Sequence, residues 1–570
     1  MPPSRPPDSP PADPPLETWL TRLLTTALIL TAAIATIRPV LSPKPWMLFV
    51  EDDFFYYLKV AQNLAHGHGS TFNGLVHTNG YHPLWLLLLT LACAISSAPK
   101  FILSFVALVT FLSTITTYEL TRRILILSGL PLLPASALAV YAAIYAIHIL
   151  FGGMEILLTI PLVLLTVLLA RRPQLWQTPH PTRDFALLGL ASSAMILSRL
   201  DTLILAALLF LGLLSQPTLR KKLLTPSALS GLALGLLPVA LYFLSNALLF
   251  GTLLPVSGMA KQLKTTYTPS AIPWASAFHH PPSQLINLLP ILIALALVLP
   301  RWRCLSPLER ALYPPVLAFP FLYIALLSIR SDWQLWGWYL YPFRTALVAS
   351  FAVLVTLPVL RNLLANRIVT TLLLLFALAD LHSAVWRTSG RETLYDAALD
   401  IQTFAQTHPG VYAMGDRSGM PAWLLPDPVI QTEGLVMDRT FLNSIRTQQP
   451  LLDTLARYHA RYYIASSQQP LSGCFQAAEP AQAGPASPHM IANLCQPPLA
   501  TFHHGDWYNF IYDLSPSPPP TKFRPCHHNT LPRPQPPSPP LSTLDPATTI
   551  PTNKRSNPPP NTSNSLRQLT

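Results

Sequence analysis

Three acidic residues, Glu51, Asp52 and Asp53, stand side by side and are followed at once by four aromatic residues. They come directly after the first long apolar segment of the chain. Neighbouring carboxylates repel one another and lose hydration beside an apolar phase, so their retention needs a chemical reason. Carboxylates in such a place can take up a proton, bind a cation or activate a hydroxyl group.

A helix that begins at Asp52 would position these carboxylates, since residues three and four apart share one face of a helix. Its apolar face comprises Phe54, Leu58, Ala61 and Ala65, and its opposite face comprises Asp52, Tyr56, Lys59, Asn63 and His66. We therefore predict a helix that lies along a membrane surface. In its first turn the helix dipole would keep Asp52 and Asp53 ionised, ready to act as bases or cation ligands. The alternative is that these two side chains only cap the helix.

The composition of the whole chain is that of a membrane protein. Of its 570 residues 51% are hydrophobic and only 11% are charged, and the mean hydropathy is +0.37. Soluble globular proteins carry about 25% charged residues. The net charge of +12 falls in short basic clusters between apolar runs, as the cytoplasmic anchors of membrane helices do, so nucleic acid is not expected as a partner.

Apolar runs within residues 18–387 predict about 11 transmembrane helices. They cover residues 19–40, 101–121, 133–150, 156–170, 185–197, 203–214, 228–250, 285–299, 312–329, 345–360 and 368–385. Basic clusters occupy alternate connections, which the positive-inside rule places in the cytoplasm. The first external loop, residues 41–83, and everything after Trp386 then lie outside. This alternation of cytoplasmic and external connections requires residues 83–97 to be re-entrant or part of a bent helix.

The remainder of the chain differs in composition. Residues 388–515 mix helix-like and strand-like stretches with ordinary polarity, which predicts a small soluble α/β domain outside the membrane. Strands are predicted at residues 411–414, 462–465 and 510–512. Residues 1–17 and 516–570 are rich in proline and are predicted to be disordered. Cys474 and Cys495 either pair or remain two free thiols.

A turn-rich segment returns the chain toward the membrane and ends in Thr78-Asn79-Gly80-Tyr81-His82-Pro83-Leu84-Trp85. The run 51–85 resembles the bacterial integral-membrane glycosyltransferases of the GT-C superfamily, which include proteins similar to dolichyl-phosphate-mannose–protein mannosyltransferases. Their first external loop carries an acidic pair, a tyrosine-rich helix and such a return. The resemblance continues at Gly153-Met154-Glu155, Ser198-Arg199-Leu200-Asp201, Asn246, residues 250–261, Trp338-Tyr339-Leu340-Tyr341-Pro342, residues 413–419 and residues 432–436. It touches most of residues 19–514, with a departure at Arg417-Ser418-Gly419, where small residues are more usual.

The resemblance implies an α-helical polytopic membrane protein of GT-C type, with a small extracytoplasmic α/β domain and disordered termini. It implies transfer of a hexose or pentose from a lipid-linked donor, usually a polyprenyl phosphate or diphosphate sugar, and our hypothesis is a direct displacement with inversion. The acceptor would be a lipid, a glycan or a protein on the outer side of the bacterial plasma (inner) membrane, where membrane lipids surround the enzyme.

The chemistry of such a transfer suggests roles for particular residues. An acceptor hydroxyl needs a carboxylate base, which Asp52 or Asp53 would supply. The leaving lipid phosphate needs cations or fixed donors, for which arginine and lysine are suited. The predicted ligands of the donor phosphate or the substrate are His82, Glu155, Arg199, Asp201, Lys261, Tyr339 and Arg344. A divalent metal, Mg²⁺ or Mn²⁺, is a candidate cofactor, with Asp52, Asp53 and Glu155 as its ligands.

Several of these side chains also have a purely structural interpretation. Glu155 would stabilise the start of a helix through the helix dipole. Arg199 and Asp201 would pair with each other at a membrane boundary. Lys261 would extend its charge to the interface, and His82 would order the loop before Pro83 rather than bind phosphate.

Two other functions share the same sequence features. A lipid or solute transporter would need ionisable residues along a central path and an internal repeat, whereas the charges here lie at predicted helix ends and no repeat is visible. A scaffold that binds glycans without turnover would keep the fold and dispense with the base. The enzyme is favoured because the acidic loop and the large outer domain suit catalysis better than transport.

Overall fold

The computed structural model describes residues 15–149, 152–178, 181–278, 281–298, 300, 302–386, 391–470 and 473–515 of the chain. The predicted disordered termini lie outside these ranges, except that residues 15–17 already belong to the first helix. The part before residue 387, here called the helical module, contains the following α-helices: α1 (Pro15–Leu41), α2 (Asp52–Ala65), α3 (Pro83–Ile95), α4 (Pro99–Leu127), α5 (Leu132–Ile149), α6 (Ile156–Ala170), α7 (Pro173–Gln177), α8 (Thr182–Ser198), α9 (Thr202–Ser215), α10 (Pro217–Leu223), α11 (Pro226–Phe250), α12 (Val256–Ala260), α13 (Ile272–Ala277), α14 (Pro281–Val298), α15 (Pro307–Arg330), α16 (Tyr341–Leu354), α17 (Pro358–Leu364) and α18 (Arg367–Trp386). Short 3₁₀ turns are formed by Trp46–Phe49, Trp302–Cys304 and Gly337–Leu340.

The predicted apolar runs fold as helices in the part of the chain that the structure describes. One end differs from its prediction, because α16 stops at Leu354 and α17 begins at Pro358 after a bend of 111°. Proline at the first position of a helix is preorganised for that place, and it disfavours a helical residue before it. The predicted continuous run 345–360 is therefore wrong beyond Leu354.

Length and composition allow five of the described helices to cross a membrane, or seven if each of two bent helix pairs forms one span. Shorter apolar helices occupy Pro83–Ile95, Leu132–Ile144, Ile156–Ala170 and Leu288–Leu297. The long helices bury only 17–50% of their apolar windows against the rest of the protein, which leaves broad apolar surfaces outward. The chain is thus built as a multi-pass membrane protein, and the number of about 11 spans stays a prediction.

Residues 391–515, here called the C-terminal domain, form a mixed sheet flanked by helices. Its elements are α19 (Glu392–Thr407), β1 (Val411–Met414), α20 (Gly419–Leu424), β2 (Val429–Gln431), α21 (Arg439–Arg446), α22 (Leu451–Arg457), β3 (Ala460–Ser467), β4 (Phe475–Glu479), β5 (Met490–Leu494), β6 (Ala500–His504) and β7 (Trp507–Asp513). The sheet has the order β2-β1-β3-β7-β6, in which β1 pairs in parallel with β2 and β3, and β7 pairs antiparallel with β3 and β6. The strands predicted at 411–414, 462–465 and 510–512 are confirmed.

A separate antiparallel hairpin of β4 and β5 carries a disulfide bond between Cys474 and Cys495. The two cysteines flank the register pair Phe475 and Leu494, so the bond closes the open end of the hairpin. Of the two alternatives left by the sequence, the paired one is therefore correct. A disulfide is favoured in an oxidising compartment.

Buried polar contacts dock the C-terminal domain on the helical module. Asp332, which is 2% exposed, accepts hydrogen bonds from the Ala486 backbone N–H at 2.8 Å and from the Ser487 hydroxyl at 2.5 Å. Glu51 forms an ion pair with Arg391 at the first residue of the domain. These contacts hold the domain directly over the first loop.

A close backbone approach adds to this docking. Gly80 of the return segment packs against Leu435, so that a Cβ atom at residue 80 would stand 1.9 Å from the Leu435 carbonyl oxygen. Backbone cannot move aside like a side chain, and overpacking of this kind costs about 1–3 kcal/mol. We expect Gly80→Ala to lower the thermal unfolding midpoint in detergent. Gly258→Ala is the matched control, because a Cβ there meets nothing within 4 Å. Equal midpoints for the two variants would contradict the close approach.

Candidate active site

The first-loop helix α2 is enclosed on more sides than its sequence pattern predicts. Its apolar residues Phe54, Leu58 and Ala61 are fully buried, as expected. Tyr56, on the predicted polar face, is also buried, with its hydroxyl 3.1 Å from the Ser418 hydroxyl. That part of the prediction is wrong, because α20 of the C-terminal domain covers this face. The helix therefore lies between two parts of the protein rather than exposed along a surface.

Asp52 joins the two parts by capping a helix other than its own. Its carboxylate oxygens accept hydrogen bonds from the backbone N–H groups of Gly419 and Met420, at 2.9 and 2.7 Å, in the first turn of α20. Burial raises the pKa of Asp52 to about 6, although these two N–H groups act in the opposite direction. The glycine permits the approach, since a Cβ at residue 419 would stand 2.2 Å from the Asp52 carbonyl oxygen.

Asp53 has a different environment, and its carboxylate accepts no hydrogen bond from any residue that the structure describes. Burial raises its pKa to about 7; Lys261 lowers it, and the carboxylates of Asp52 and Glu51 raise it further. The expectation that the helix dipole keeps both aspartates ionised is therefore wrong for Asp53 near neutral pH. Desolvation outweighs the dipole here. The result is a half-buried carboxyl group poised between its two protonation states.

Lys261 is the cation that acts electrostatically on Asp53. It follows α12, donates a hydrogen bond to the Tyr339 hydroxyl at 2.7 Å, and lies over the Trp333 and Tyr339 rings. Burial acts to lower its pKa, but Tyr339 and Asp53 outweigh that effect and raise it above its usual value. The lysine is therefore held as a cation by the protein and is not merely extended into the membrane interface.

A second charge network joins Arg199 and Glu155, which are buried, to Asp201, whose side chain is 20% exposed. The Arg199 guanidinium bonds to Glu155 at 2.5 Å and to Asp201 at 2.9 Å. Its carboxylate partners are held in turn by tyrosine hydroxyls: Tyr57 donates to Glu155, and Tyr323 and Tyr341 donate to Asp201. The predicted pairing of Arg199 with Asp201 is confirmed. Glu155 does not cap its helix through its side chain, because its carboxylate is directed to Arg199.

His82 connects this network to the return segment. Its Nδ1 accepts a hydrogen bond from the Leu200 backbone N–H at 3.3 Å, which leaves the proton of the neutral ring on Nε2, 3.8 Å from the Glu155 carboxylate. Burial lowers the pKa of His82. The side chain thus orders the loop before Pro83, as one of the two sequence interpretations expects.

The amide side chain of Asn79 links the return segment to α12. Its fully buried side chain donates to Thr252 at 3.1 Å and accepts from the Val256 backbone N–H at 3.0 Å. Val256 begins α12, the short helix that ends before Lys261. The first loop and the lysine are consequently fixed relative to each other.

The Tyr339 ring lies between two of the predicted cations. The Arg199 guanidinium stands 4.6 Å and the Lys261 ammonium 5.2 Å from the ring centroid. Both contacts are of cation–π type, which Tyr and Trp favour. The structure thus brings together Lys261, Tyr339 and the Arg199 network, and it places Arg344 on α16 with its guanidinium 4.6 Å from the Tyr141 ring centroid.

Three carboxyl groups of the C-terminal domain interact electrostatically within this region and have no assigned role in the sequence prediction: Asp416, Glu433 and Glu479. Glu433 interacts with Asp53 and Lys261, and Asp416 interacts with both aspartates of the first loop. The sequence contains a signal for two of them, since Asp416 and Glu433 lie in the segments 413–419 and 432–436 that carry the family resemblance. Their proximity to α2 depends on the domain docking, which no local pattern reveals.

The predicted metal ligands do not form a metal site. Within the described ranges, no three His, Cys, Asp or Glu side chains converge as a metal ion requires. Asp52 is engaged by two backbone amides and Glu155 by Arg199 and Tyr57, so the donor set does not fit Mg²⁺ or Mn²⁺.

Comparison with solved structures defines the class of fold. ArnT from Cupriavidus metallidurans, solved without ligand, superimposes with a TM-score of 0.52 at 12% sequence identity, over 79% of this chain and 93% of ArnT. The likeness confirms the predicted fold, a polytopic helical membrane protein with a small C-terminal sheet region. At this identity it is a likeness of fold.

Two further solved structures match with lower TM-scores. The oligosaccharyltransferase of Archaeoglobus fulgidus, tethered to an acceptor peptide, has a TM-score of 0.44 at 12% identity, over 84% of this chain and 74% of its own. The mycobacterial arabinofuranosyltransferase AftD has a TM-score of 0.34 at 16% identity, over 87% of this chain and 42% of its own. No protein-family model matches the chain, and no curated protein matches it significantly.

Proposed function

We propose that this protein is a membrane glycosyltransferase that moves a sugar from a polyprenyl-phosphate-type lipid to an acceptor hydroxyl. The observation that carries the proposal is the electrostatic interaction of the Asp53 carboxyl with the Lys261 ammonium, which the Tyr339 hydroxyl holds in place, on a GT-C-type fold. A base and a cation close together can serve the two ends of one displacement, because one accepts a proton while the other receives developing negative charge. This chain's own residues thus supply both the base for the acceptor proton and the cation for the leaving phosphate.

Asp53 is the base in this proposal, and Asp52 is the residue that holds the two parts of the site together. The Asp52 oxygens are already occupied by backbone N–H groups, whereas the Asp53 carboxylate accepts no hydrogen bond from the described residues. The acceptor hydroxyl would give its proton to Asp53 as its oxygen attacks the anomeric carbon. The bond from that carbon to the lipid phosphate breaks on the opposite face, so the configuration inverts.

Lys261 is the cation that receives the leaving phosphate, with Tyr339 fixing its ammonium group. Arg199 is less suited, because the carboxylates of Glu155 and Asp201 already neutralise it. Arg199 instead packs against the Tyr339 ring and supports it. Its own position is fixed by the network that contains Glu155, Asp201 and His82. Tyr339 itself remains a proposed substrate contact, and Arg344 a proposed phosphate ligand.

The donor, the acceptor and the location are part of the same proposal. The proposed donor is a polyprenyl phosphate sugar, and the proposed acceptor is a lipid, glycan or protein on the extracytoplasmic side of the plasma membrane. The extracytoplasmic side is an oxidising compartment, where Cys474 and Cys495 can stay paired.

A comparison of cells with and without the protein tests this function. Loss of the protein is expected to remove one sugar from an envelope lipid, glycan or protein and to raise the level of the corresponding polyprenyl phosphate sugar. Restoring the wild-type protein should reverse both changes, and restoring Asp53→Asn should reverse neither. Unchanged glycans and lipids in the deleted cells would oppose the proposal.

The pKa of Asp53 predicts how the rate depends on pH. A base must be unprotonated to act, and with a pKa of about 7 its active fraction rises through neutrality and levels above it. The transfer rate at pH 6 is therefore expected to be about a tenth of the plateau rate. Initial rates between pH 5.5 and 8.5 measure this, with thermal unfolding recorded at each pH as a control. A rate that is flat or falls across this interval would contradict the assignment.

A further inference from the structure

A carboxyl oxygen of the C-terminal domain is buried near the proposed base and has no hydrogen-bond partner in the part of the chain that the structure describes. Glu433 follows β2 and is 3% exposed. Its Oε2 accepts a hydrogen bond from the Gln431 side chain at 3.0 Å, whereas Oε1 has no partner among the residues that the structure describes. A buried polar group left unsatisfied loses its hydration without compensation, so its retention needs an explanation.

The loop that carries Glu433 is held rigidly. The Gln431 side chain also accepts a hydrogen bond from the Leu435 backbone N–H at 2.8 Å, and Gly434 makes the turn with φ of +77°. Leu435 packs against Gly80 of the return segment, and a Cβ at Gly434 would lie 4.0 Å from Ala260. Glu433 is therefore fixed between the first loop and the residue that precedes Lys261.

The surroundings of Glu433 restrict what its free oxygen can bind. It interacts with the carboxyl groups of Asp416, Glu479 and Asp53 and with the ammonium of Lys261. A phosphate there would meet several carboxyl groups, and a hydrocarbon chain would leave the oxygen unsatisfied. A metal would need a converging donor set, which the described residues do not provide. A neutral hydroxyl group satisfies the oxygen without adding charge.

We propose that Glu433 binds a sugar hydroxyl through Oε1 and so orients the sugar beside Asp53. This inference rests on the proposed glycosyl transfer and makes the C-terminal domain a part of the substrate site. The hydroxyl belongs either to the transferred sugar or to a glycan acceptor, since both present the same chemistry. A carboxyl oxygen within a rigid loop selects one hydroxyl position, which makes Glu433 a specificity-determining residue.

The experiment combines Glu433 variants with deoxy sugars. Donors are polyprenyl phosphate carrying mannose, glucose, galactose or arabinose, and the sugar that the wild-type protein transfers is then prepared with each hydroxyl replaced by hydrogen. Glu433→Ala is expected to raise the KM of one substrate about 10–100-fold and to change kcat less. One deoxy substrate should be penalised with the wild-type protein and not with Glu433→Ala. If the deoxy compound with this behaviour is a donor, Glu433 binds a hydroxyl of the transferred sugar. If it is an acceptor, Glu433 binds a hydroxyl of the acceptor.

Controls separate binding from folding. Glu479→Gln is the matched variant, because the Glu479 oxygens already accept hydrogen bonds from the Tyr463 hydroxyl and the Ala481 backbone N–H. It should leave both KM values near those of the wild type. If Glu433→Ala does not fold, Glu433→Gln, which keeps the volume, is measured against the same deoxy series. Equal deoxy penalties in wild type and variant, or unchanged KM values, would overturn the inference, whereas a wild-type protein without transfer would instead overturn the proposed function.

Discussion

Replacing Asp53 by asparagine is expected to lower kcat by about 10²–10⁴-fold, the usual contribution of a general base. The amide keeps the size of the side chain but cannot take the acceptor proton. Burial already holds the pKa of Asp53 at about 7, so the carboxylate is matched to proton transfer near neutral pH. The KM of the donor should change little, because Lys261 and Tyr339 remain in place.

Asp52→Asn is the matched variant one residue away. It disturbs the capping of α20 by placing an amide group near the Gly419 and Met420 N–H groups. The expected result is a loss of stability of about 1–3 kcal/mol with a smaller loss of kcat than in Asp53→Asn. A kcat that falls in Asp52→Asn and survives in Asp53→Asn would reverse the two roles. Full activity in both single variants and in the double variant would remove both residues from the mechanism.

The second large effect concerns stability and comes from Arg199. Arg199→Met keeps an unbranched side chain but leaves Glu155 and Asp201 buried without their cation. Breaking a buried ion pair by removing one partner costs about 3–5 kcal/mol. We therefore expect a large decrease in the free energy of unfolding in detergent, measured by denaturant titration.

Two further variants define the cause of that decrease. Arg122→Met removes an arginine from a partly exposed pair with Glu119 and should cost about 0–1 kcal/mol. The triple variant Arg199→Met with Glu155→Gln and Asp201→Asn removes the buried charges together and should recover part of the stability. If Arg199→Met costs no more than Arg122→Met, the network does not stabilise the fold.

The prediction of the fold from sequence succeeded where the pattern is local. Apolar runs predicted the helices of the helical module, and the spacing of Phe54, Leu58 and Ala61 predicted the buried side of α2. Short strand-like stretches predicted three strands of the C-terminal domain, at 411–414, 462–465 and 510–512. These features depend on neighbouring residues, which a single sequence displays directly.

The parts of the site that were missed depend on contacts between distant segments. Asp52 meets the start of α20 across 367 residues of sequence, and this contact buries the face of α2 that its polarity predicted to be open. The same docking desolvates Asp53 and overrides the helix dipole. The position of Glu433 likewise depends on the contact between Gly80 and Leu435, which the sequence does not reveal.

The central claim is tested most directly with the purified full-length protein in liposomes that contain a radiolabelled polyprenyl phosphate sugar and a membrane extract as acceptor. We predict that the label passes to a new product and that free polyprenyl phosphate appears in equal amount, with the wild-type protein and not with Asp53→Asn. Movement of the unchanged donor across the bilayer would instead indicate a transporter, and binding without product would indicate a scaffold. Either result would contradict the account.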